Sequence, residues 1–298
     1  MLDVNKMTDD IPGFLSDKHV AIFGLGLMGG SLALALHGKC RILTGIDPDP
    51  EAVQAAIRRG IVDRADVQTG DLLIDADVII LAAPVNTILN LLADLPDLCP
   101  NAAMVLDFGS TKRNICEAMQ SLPERFDPIG GHPMCGKETS GLENADPAIF
   151  IKAAFVLVAL ERSTPRVRHF AEELVRLIGS HPIWMDAITH DRQVAAISHL
   201  PFLAANALAY CTPVSNAPLA ASGFASTTRL AVTSPIMIMD VLQTNQAAIV
   251  DSLHQYREHL AVLENLLSAG DFDALYALLL QGAENRNQIV QSNSGEIL

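Results

Sequence analysis

The run His19-Val20-Ala21-Ile22-Phe23 leads without a break into Gly24-Leu25-Gly26-Leu27-Met28-Gly29, and the helix-prone Ser31-Leu32-Ala33-Leu34-Ala35-Leu36 follows almost at once. A strand that stops on a glycine turn and restarts as a helix leaves few options. The glycines allow a tight turn and close backbone approach, while the new helix presents unpaired N–H groups to an anion. A second β-prone run, RILTGID, ends at Asp47, roughly 20 residues on, where a carboxylate suits the hydroxyls of a ribose. Together these features predict a dinucleotide-binding unit in which Gly24, Leu25, Gly26, Leu27, Met28, Gly29 and Asp47 hold the cofactor. Pro48 and Asp49 follow Asp47, so a ribose 2′-phosphate would meet negative charge rather than an arginine, and NAD is expected over NADP.

From His19 to about Asp186, short β-rich runs (HVAIFGLG, RILTGID, DVIILAAP, AMVLDFG, FVLVAL, PIWMD) alternate with helical spacing. Such alternation predicts an α/β fold, an N-terminal Rossmann-type parallel sheet, doubly wound, with helices on its faces. After Asp186 the period changes, which predicts an all-helical C-terminal domain over residues 187–298. Residues 1–18 are expected to be a loose tail. From Asn245 the apolar residues Ile249, Leu253, Tyr256, Leu260, Leu263 and Leu267 recur at steps of four and three, the mark of a long helix with an apolar seam. Core packing and a helical dimer interface both fit that seam.

The chain carries 20 Lys and Arg against 34 Asp and Glu, a net charge of −14. That charge repels phosphate backbones and anionic lipid, so neither nucleic acid nor membrane is an expected partner. No uninterrupted apolar run approaches the roughly 20 residues of a membrane span. The five cysteines form no CxxC pair and are odd in number, which argues against a disulfide framework or a zinc site and suits a cytoplasmic protein.

Two stretches carry chemistry: Asp107-Phe108-Gly109-Ser110-Thr111-Lys112 at the end of a predicted strand, and GGHPMCGKETSG from Gly130 to Gly141. Ligands of open α/β sheets bind beyond the carboxyl ends of the strands, which places Ser110 and His132 beside the nicotinamide, with Ala83, Pro84 and Gly109 along the cofactor. An imidazole is the usual group for taking a proton near neutral pH, and an alcohol oxidation requires the hydroxyl proton to go as hydride leaves the same carbon. Each residue also has a plainer role open to it. His132 could be a turn histidine, and Ser110 could cap a helix beginning near Thr111. His190 and Asp191 could open the long helix, with Asp191 complementing its dipole. His199 could be a core histidine, and Arg229, Lys137 and Glu138 could be solvated charges.

With GLGLMGGS, DVIILAAPV, DFGSTK, GGHPMCGKETSG, His190-Asp191, Ser198-His199-Leu200-Pro201 and Arg229 within FASTTRLA all in order, the chain resembles the prephenate and arogenate dehydrogenase family of tyrosine biosynthesis. The resemblance implies NAD-dependent oxidative decarboxylation of a cyclohexadienol, without a metal. It implies that His132 accepts the hydroxyl proton, that Ser110 hydrogen-bonds and orients that imidazole, and that Arg229 binds a substrate carboxylate as a charge-assisted fork. His190, Lys137, Thr139, Ser198 and Phe202 would line the substrate pocket. Many family members read S-H-L-P-H where this chain has Phe202, which leaves open prephenate, arogenate or the 4-amino-4-deoxy analogue as substrate. A homodimer through the C-terminal helices is expected. Two rival readings are a β-hydroxyacid dehydrogenase and a non-catalytic NAD sensor; the first relies on a lysine that Ala187–Tyr210 lacks.

Overall fold

The computed structural model describes residues 14–137, 139–233 and 235–293. Its centre is an eight-stranded sheet of β1 (His19–Phe23), β2 (Ile42–Ile46), β3 (Arg64–Asp66), β4 (Val78–Leu81), β5 (Ala103–Asp107), β6 (Phe126–Pro133), β7 (Ala154–Val158) and β8 (His181–Trp184), in the order β3-β2-β1-β4-β5-β6-β7-β8. Between the strands run α1 (Leu27–Leu36), α2 (Pro50–Arg58), α3 (Val85–Leu98), α4 (Arg113–Gln120) and α5 (Pro165–Leu177). The neighbours pair in parallel except β6 and β7, which are antiparallel with His132 opposite Val156. The expected parallel, doubly wound sheet is present, with this one antiparallel pair toward its β8 edge.

Strand alternation builds the two faces. Val20 and Ile22, Val78 and Ile80, and Met104 and Leu106 point into one core with Leu32, Leu36 and Phe155. Ala21 and Phe23, Ile79 and Leu81, and Val105 point into the other with Val85, Ile88, Ile115 and Met119 of α3 and α4. Because both faces are covered, central strands read as continuous apolar runs.

Two strands have no counterpart among the expected runs: the three-residue β3, and β6, which carries Gly130-Gly131-His132-Pro133. The expected tail also ends earlier, since Leu15 is buried and the Phe14 ring packs edge-on against Phe170 at 5.5 Å. The rest of that tail, residues 1–13, lies outside the described residues.

Beyond β8 come α6 (Ala187–Val194), a π-helical turn (Ala195–His199), α7 (Leu200–Cys211), α8 (Ser222–Thr227), α9 (Pro235–Thr244), α10 (Gln246–Ala269) and α11 (Phe272–Asn293). Sheet therefore gives way to helix near Asp186, whereas the compact units of the chain divide between Gln246 and Ala247. On α10 the predicted seam is present, with Ile249 buried but Leu253, Tyr256, Leu260 and Leu267 exposed. The continuous run Ala187–Cys211 is 25 residues long with mean hydropathy 1.4 in its most apolar window, enough by length and composition to cross a bilayer. The run is not uninterrupted, since His190, Asp191 and Arg192 lie within it. Buried within the same run are His190, Asp191 and His199, all bonded to protein groups.

Candidate active site

The cofactor end is made at the close of β1. Gly24 has φ +90°, and a Cβ there would come within 2.3 Å of the Ala82 carbonyl oxygen. A Cβ on Gly29 would lie 1.8 Å from the Gly24 carbonyl oxygen. Both glycines are therefore demanded by the protein's own backbone. Gly26 is different, because a Cβ there would meet no protein atom within 4 Å and the α1 terminus that it begins has no side-chain cap. Open space before an uncapped helix N-terminus is what an anionic ligand requires. Leu27, Met28 and Gly29 form the first turn behind it. Asp47 is fixed from two sides, its Oδ2 accepting the Leu25 N–H at 2.6 Å and its Oδ1 the Asp49 N–H at 2.9 Å.

Leu25, Gly26 and Asp47 line a cavity of about 410 Å³. Arg58 and Arg59 line it as well, beside Asp49 and Glu51, and Arg59 donates to the Leu142 carbonyl at 3.0 Å. The wholly negative surroundings expected around Asp47 are corrected accordingly, since helix geometry returns the end of α2 to the same cavity. Ala83 and Pro84 follow β4 at the same carboxyl end of the sheet, with Pro84 directly before α3, and Gly109 and Ser110 follow β5.

At the carboxyl end of β5, Asp107 and Lys112 form a wholly buried ion pair. Asp107 also accepts the N–H groups of Gly109 at 2.8 Å and Gly131 at 3.1 Å, and the Lys112 ammonium donates to the Gly131 carbonyl at 2.6 Å. Both backbone polar groups of Gly131 are thereby held one residue before His132. The His132 Nδ1 lies 2.9 Å from His190 Nε2, and His190 Nδ1 lies 2.7 Å from Asp191 Oδ1. Asp191 in turn accepts the Lys112 N–H at 2.7 Å and the Arg113 N–H at 2.9 Å, so its carboxylate occupies the N-terminus of α4.

Residues 32–184 match the family model described as prephenate dehydrogenase, nucleotide-binding domain, and residues 186–281 match that described as prephenate dehydrogenase, dimerization domain. The chain belongs to the prephenate dehydrogenase family. It is 31% identical to the prephenate dehydrogenase of Bacillus subtilis (strain 168) over 290 residues, covering 93% of this chain and 78% of that one. Its fold is similar to that of A. aeolicus prephenate dehydrogenase in complex with hydroxyphenyl propionate and NAD+, with a TM-score of 0.85 at 26% identity over 93% of this chain and 99% of the other. It is also similar to Synechocystis arogenate dehydrogenase, with a TM-score of 0.80 at 30% identity over 91% and 99% of the two chains.

Within this family frame the expected pocket residues fall into three groups. His132, His190 and Asp191 are joined by hydrogen bonds. Ser110 is partly exposed, and among the described residues the ring partner of His132 is His190 instead of Ser110. Nor does Ser110 cap a helix: α4 begins at Arg113 and is capped from α6 by Asp191, while Asp186 caps α6. Both ring nitrogens of the buried His190 are engaged by protein, which leaves no polar atom of it for a substrate. The third group is peripheral. Phe202 is buried, Ser198 is exposed on the π-helical turn, and Thr139 is exposed. Lys137 is exposed and paired with Asp146 at 3.2 Å. Glu138 lies outside the described residues. Arg229 opens the short turn Arg229–Val232, which packs on α7, and is exposed.

Burial holds the His132 imidazole well below the ordinary histidine pKa, helped by the neighbouring His190, Lys112 and His199. A neutral ring on a partly exposed residue, with Nδ1 bonded to protein, can accept a proton at its other nitrogen. Burial would raise the Asp191 carboxyl, but hydrogen bonds from His190 and from the Arg113 and Lys112 N–H groups outweigh it and hold the carboxyl below its usual range. Burial also pushes His199 down to about 4.

Asn245 is the site residue that sequence reasoning missed. Buried between α9 and α10, it donates to the Asp191 carbonyl at 2.7 Å and lies 3.3 Å from His199 Nδ1. A lone asparagine at the start of an apolar seam gives no local sign of this. A π-turn such as Ala195–His199 is a frequent accompaniment of functional sites, and the prolyl residue at 201, lacking an N–H, suits the break in the helical ladder.

Proposed function

We propose that this chain oxidises a cyclohexadienol diacid, prephenate or arogenate, with NAD and with loss of carbon dioxide to give the aromatic product that leads to tyrosine. The observation that carries this reading is His132: a neutral, partly accessible imidazole at the carboxyl end of β6, held by its Nδ1. When bound, NAD supplies the acceptor for the hydride of the carbinol carbon. The uncapped start of α1 at Gly26 fits the pyrophosphate and Asp47 fits the ribose hydroxyls. His132 Nε2 takes the hydroxyl proton as the C–H electron pair departs. The electron pair of the ring–carboxylate bond then enters the ring, and the gain of aromaticity removes any need for an acid or a metal at the leaving group.

Arg229 is assigned to a substrate carboxylate, Ser110 to the nicotinamide side of the pocket, and Lys137, Thr139, Ser198 and Phe202 to its walls. The match to a dimerization domain and the exposed Tyr256, Leu260 and Leu267 on α10 support a homodimer through the C-terminal helices.

A parallel steady-state assay of prephenate, arogenate and the 4-amino-4-deoxy analogue, each with NAD and with NADP, tests this directly. Turnover is expected with prephenate or arogenate and NAD. Cofactor binding without turnover on any of the three would replace the enzyme by a sensor.

A further inference from the structure

We propose that His190 and Asp191 are positioning residues that lock His132 in its Nδ1–H tautomer, leaving Nε2 as the proton acceptor. The proposal rests on the reading of His132 as the base and deepens it.

An ionised carboxylate can only accept. Asp191 Oδ1 already receives the Lys112 N–H, and its other ring partner within reach is His190 Nδ1 at 2.7 Å, which must therefore carry a hydrogen. A neutral imidazole protonated at Nδ1 has a lone pair at Nε2. His190 Nε2 thus accepts from His132 Nδ1 across 2.9 Å, which puts the hydrogen of His132 on Nδ1 and its lone pair on Nε2. Reversing any link reverses them all: were His190 to donate from Nε2, His132 would have to carry its hydrogen on Nε2 and would cease to be a base.

Three features keep the chain in the active sense. The two N–H groups at the start of α4 hold Asp191 ionised, and Asn245 anchors the Asp191 backbone. His190 is 1% exposed, so water does not compete for its nitrogens. The charged and titratable neighbours of His132 are His190, Lys112 and His199, with Asp191 behind them. The Lys112 ammonium is directed to Asp107 and the Gly131 carbonyl, and burial keeps His199 neutral near pH 7. The positive charge that His132 gains on accepting a proton is then separated from the Asp191 carboxylate by a single imidazole, an arrangement that stabilises the charge as it develops.

The test combines kinetics of the full-length enzyme with nitrogen NMR of histidine-labelled protein. In the wild type, His132 is expected to show an unprotonated Nε2. In Asp191→Asn, the amide NH2 group must face either the Arg113 N–H or the Lys112 N–H together with the His190 ring; the second choice inverts the chain, so kcat is expected to fall about 100-fold while the KM for NAD stays within about twofold. The acid limb of kcat/KM should also move to lower pH, since the carboxylate that favours a protonated ring pair is gone. His190→Phe should lose about as much. His190→Gln, whose Oε1 can accept from His132 Nδ1, should recover to within about tenfold of wild type.

A wild-type spectrum with His132 protonated on Nε2 would overturn the proposal even if no variant folds. So would folded Asp191→Asn and His190→Phe proteins with unchanged kcat and pH profile, or a His190→Gln protein no better than His190→Phe. Loss of turnover in His132→Asn with no effect at 190 or 191 removes the relay alone, whereas retained turnover in His132→Asn removes the base on which it stands.

Discussion

The two parts of the candidate site, the cofactor end at the glycine turn and the base end around His132, are built in opposite ways. At the cofactor end, six consecutive residues from Gly24 to Gly29 form the turn, and one carboxylate, Asp47, ties it down through backbone N–H groups. At the base end, the working geometry is distributed over β6, α6, the start of α4 and the α9–α10 junction, and its partners are 58 residues apart between His132 and His190 and 54 apart between Asn245 and Asp191. A contiguous turn is specified by local backbone sterics. A dispersed network exists only once the sheet order has placed β5 beside β6 and α6 against α4, so it depends on global folding and responds to substitutions far from the chemistry.

That contrast should appear first in stability. Lys112→Met leaves Asp107 charged and unpaired in a site where both side chains are wholly buried, and it is expected to cost about 3–5 kcal/mol in denaturant unfolding. Lys137→Ala, which removes an exposed ion pair, should cost no more than about 1 kcal/mol. Equal costs would show that the Asp107–Lys112 pair does not brace the base end.

Acid should loosen the base end before it affects the turn. His199 is buried with its pKa lowered from 6.5 to about 4, so the unfolded chain binds its proton more readily than the folded one. Stability from this group is complete above pH 6.5 and is lost as pH falls toward 4, by roughly 3 kcal/mol. His132, also lowered by burial, acts in the same direction, and Asp191 adds a further loss only below its ordinary value of 3.8. Melting curves between pH 7 and pH 4 measure this; in His199→Phe the slope should be shallower.

A smaller effect divides the glycines of the turn itself. Gly24→Ala meets a positive φ and a backbone oxygen, and should lose about 1–3 kcal/mol of stability. Gly26→Ala meets nothing in the protein and should unfold within about 0.5 kcal/mol of wild type while binding NAD more weakly. Unchanged NAD affinity in Gly26→Ala would move the pyrophosphate elsewhere.

The same division decides how much could be read from the sequence. Strands β1, β2, β4, β5, β7 and β8 announce themselves as apolar runs, and the glycine turn with Asp47 needs only local context. Strand β6 does not, because Pro128, Gly130, Gly131 and Pro133 read as breakers. The glycines are there for close approach: a Cβ on Gly131 would lie 2.7 Å from the Asp107 carbonyl oxygen, and one on Gly130 would lie 3.0 Å from Cys116 Sγ. His132 and the His190-Asp191 pair stand out by residue type, but nothing local links them, and Ser110 enters as the orienter of His132 only through the family resemblance. Asp191 capping α4 instead of complementing its own helix, and Asn245 clamping Asp191, follow from packing that no run of neighbouring residues encodes.

The most direct measurement is turnover of His132→Asn on prephenate or arogenate, taken together with its affinity for NAD. A loss of at least about 100-fold in kcat with NAD binding retained is the expected result. Near-normal turnover would contradict the assignment of the base and, with it, the function proposed for this chain.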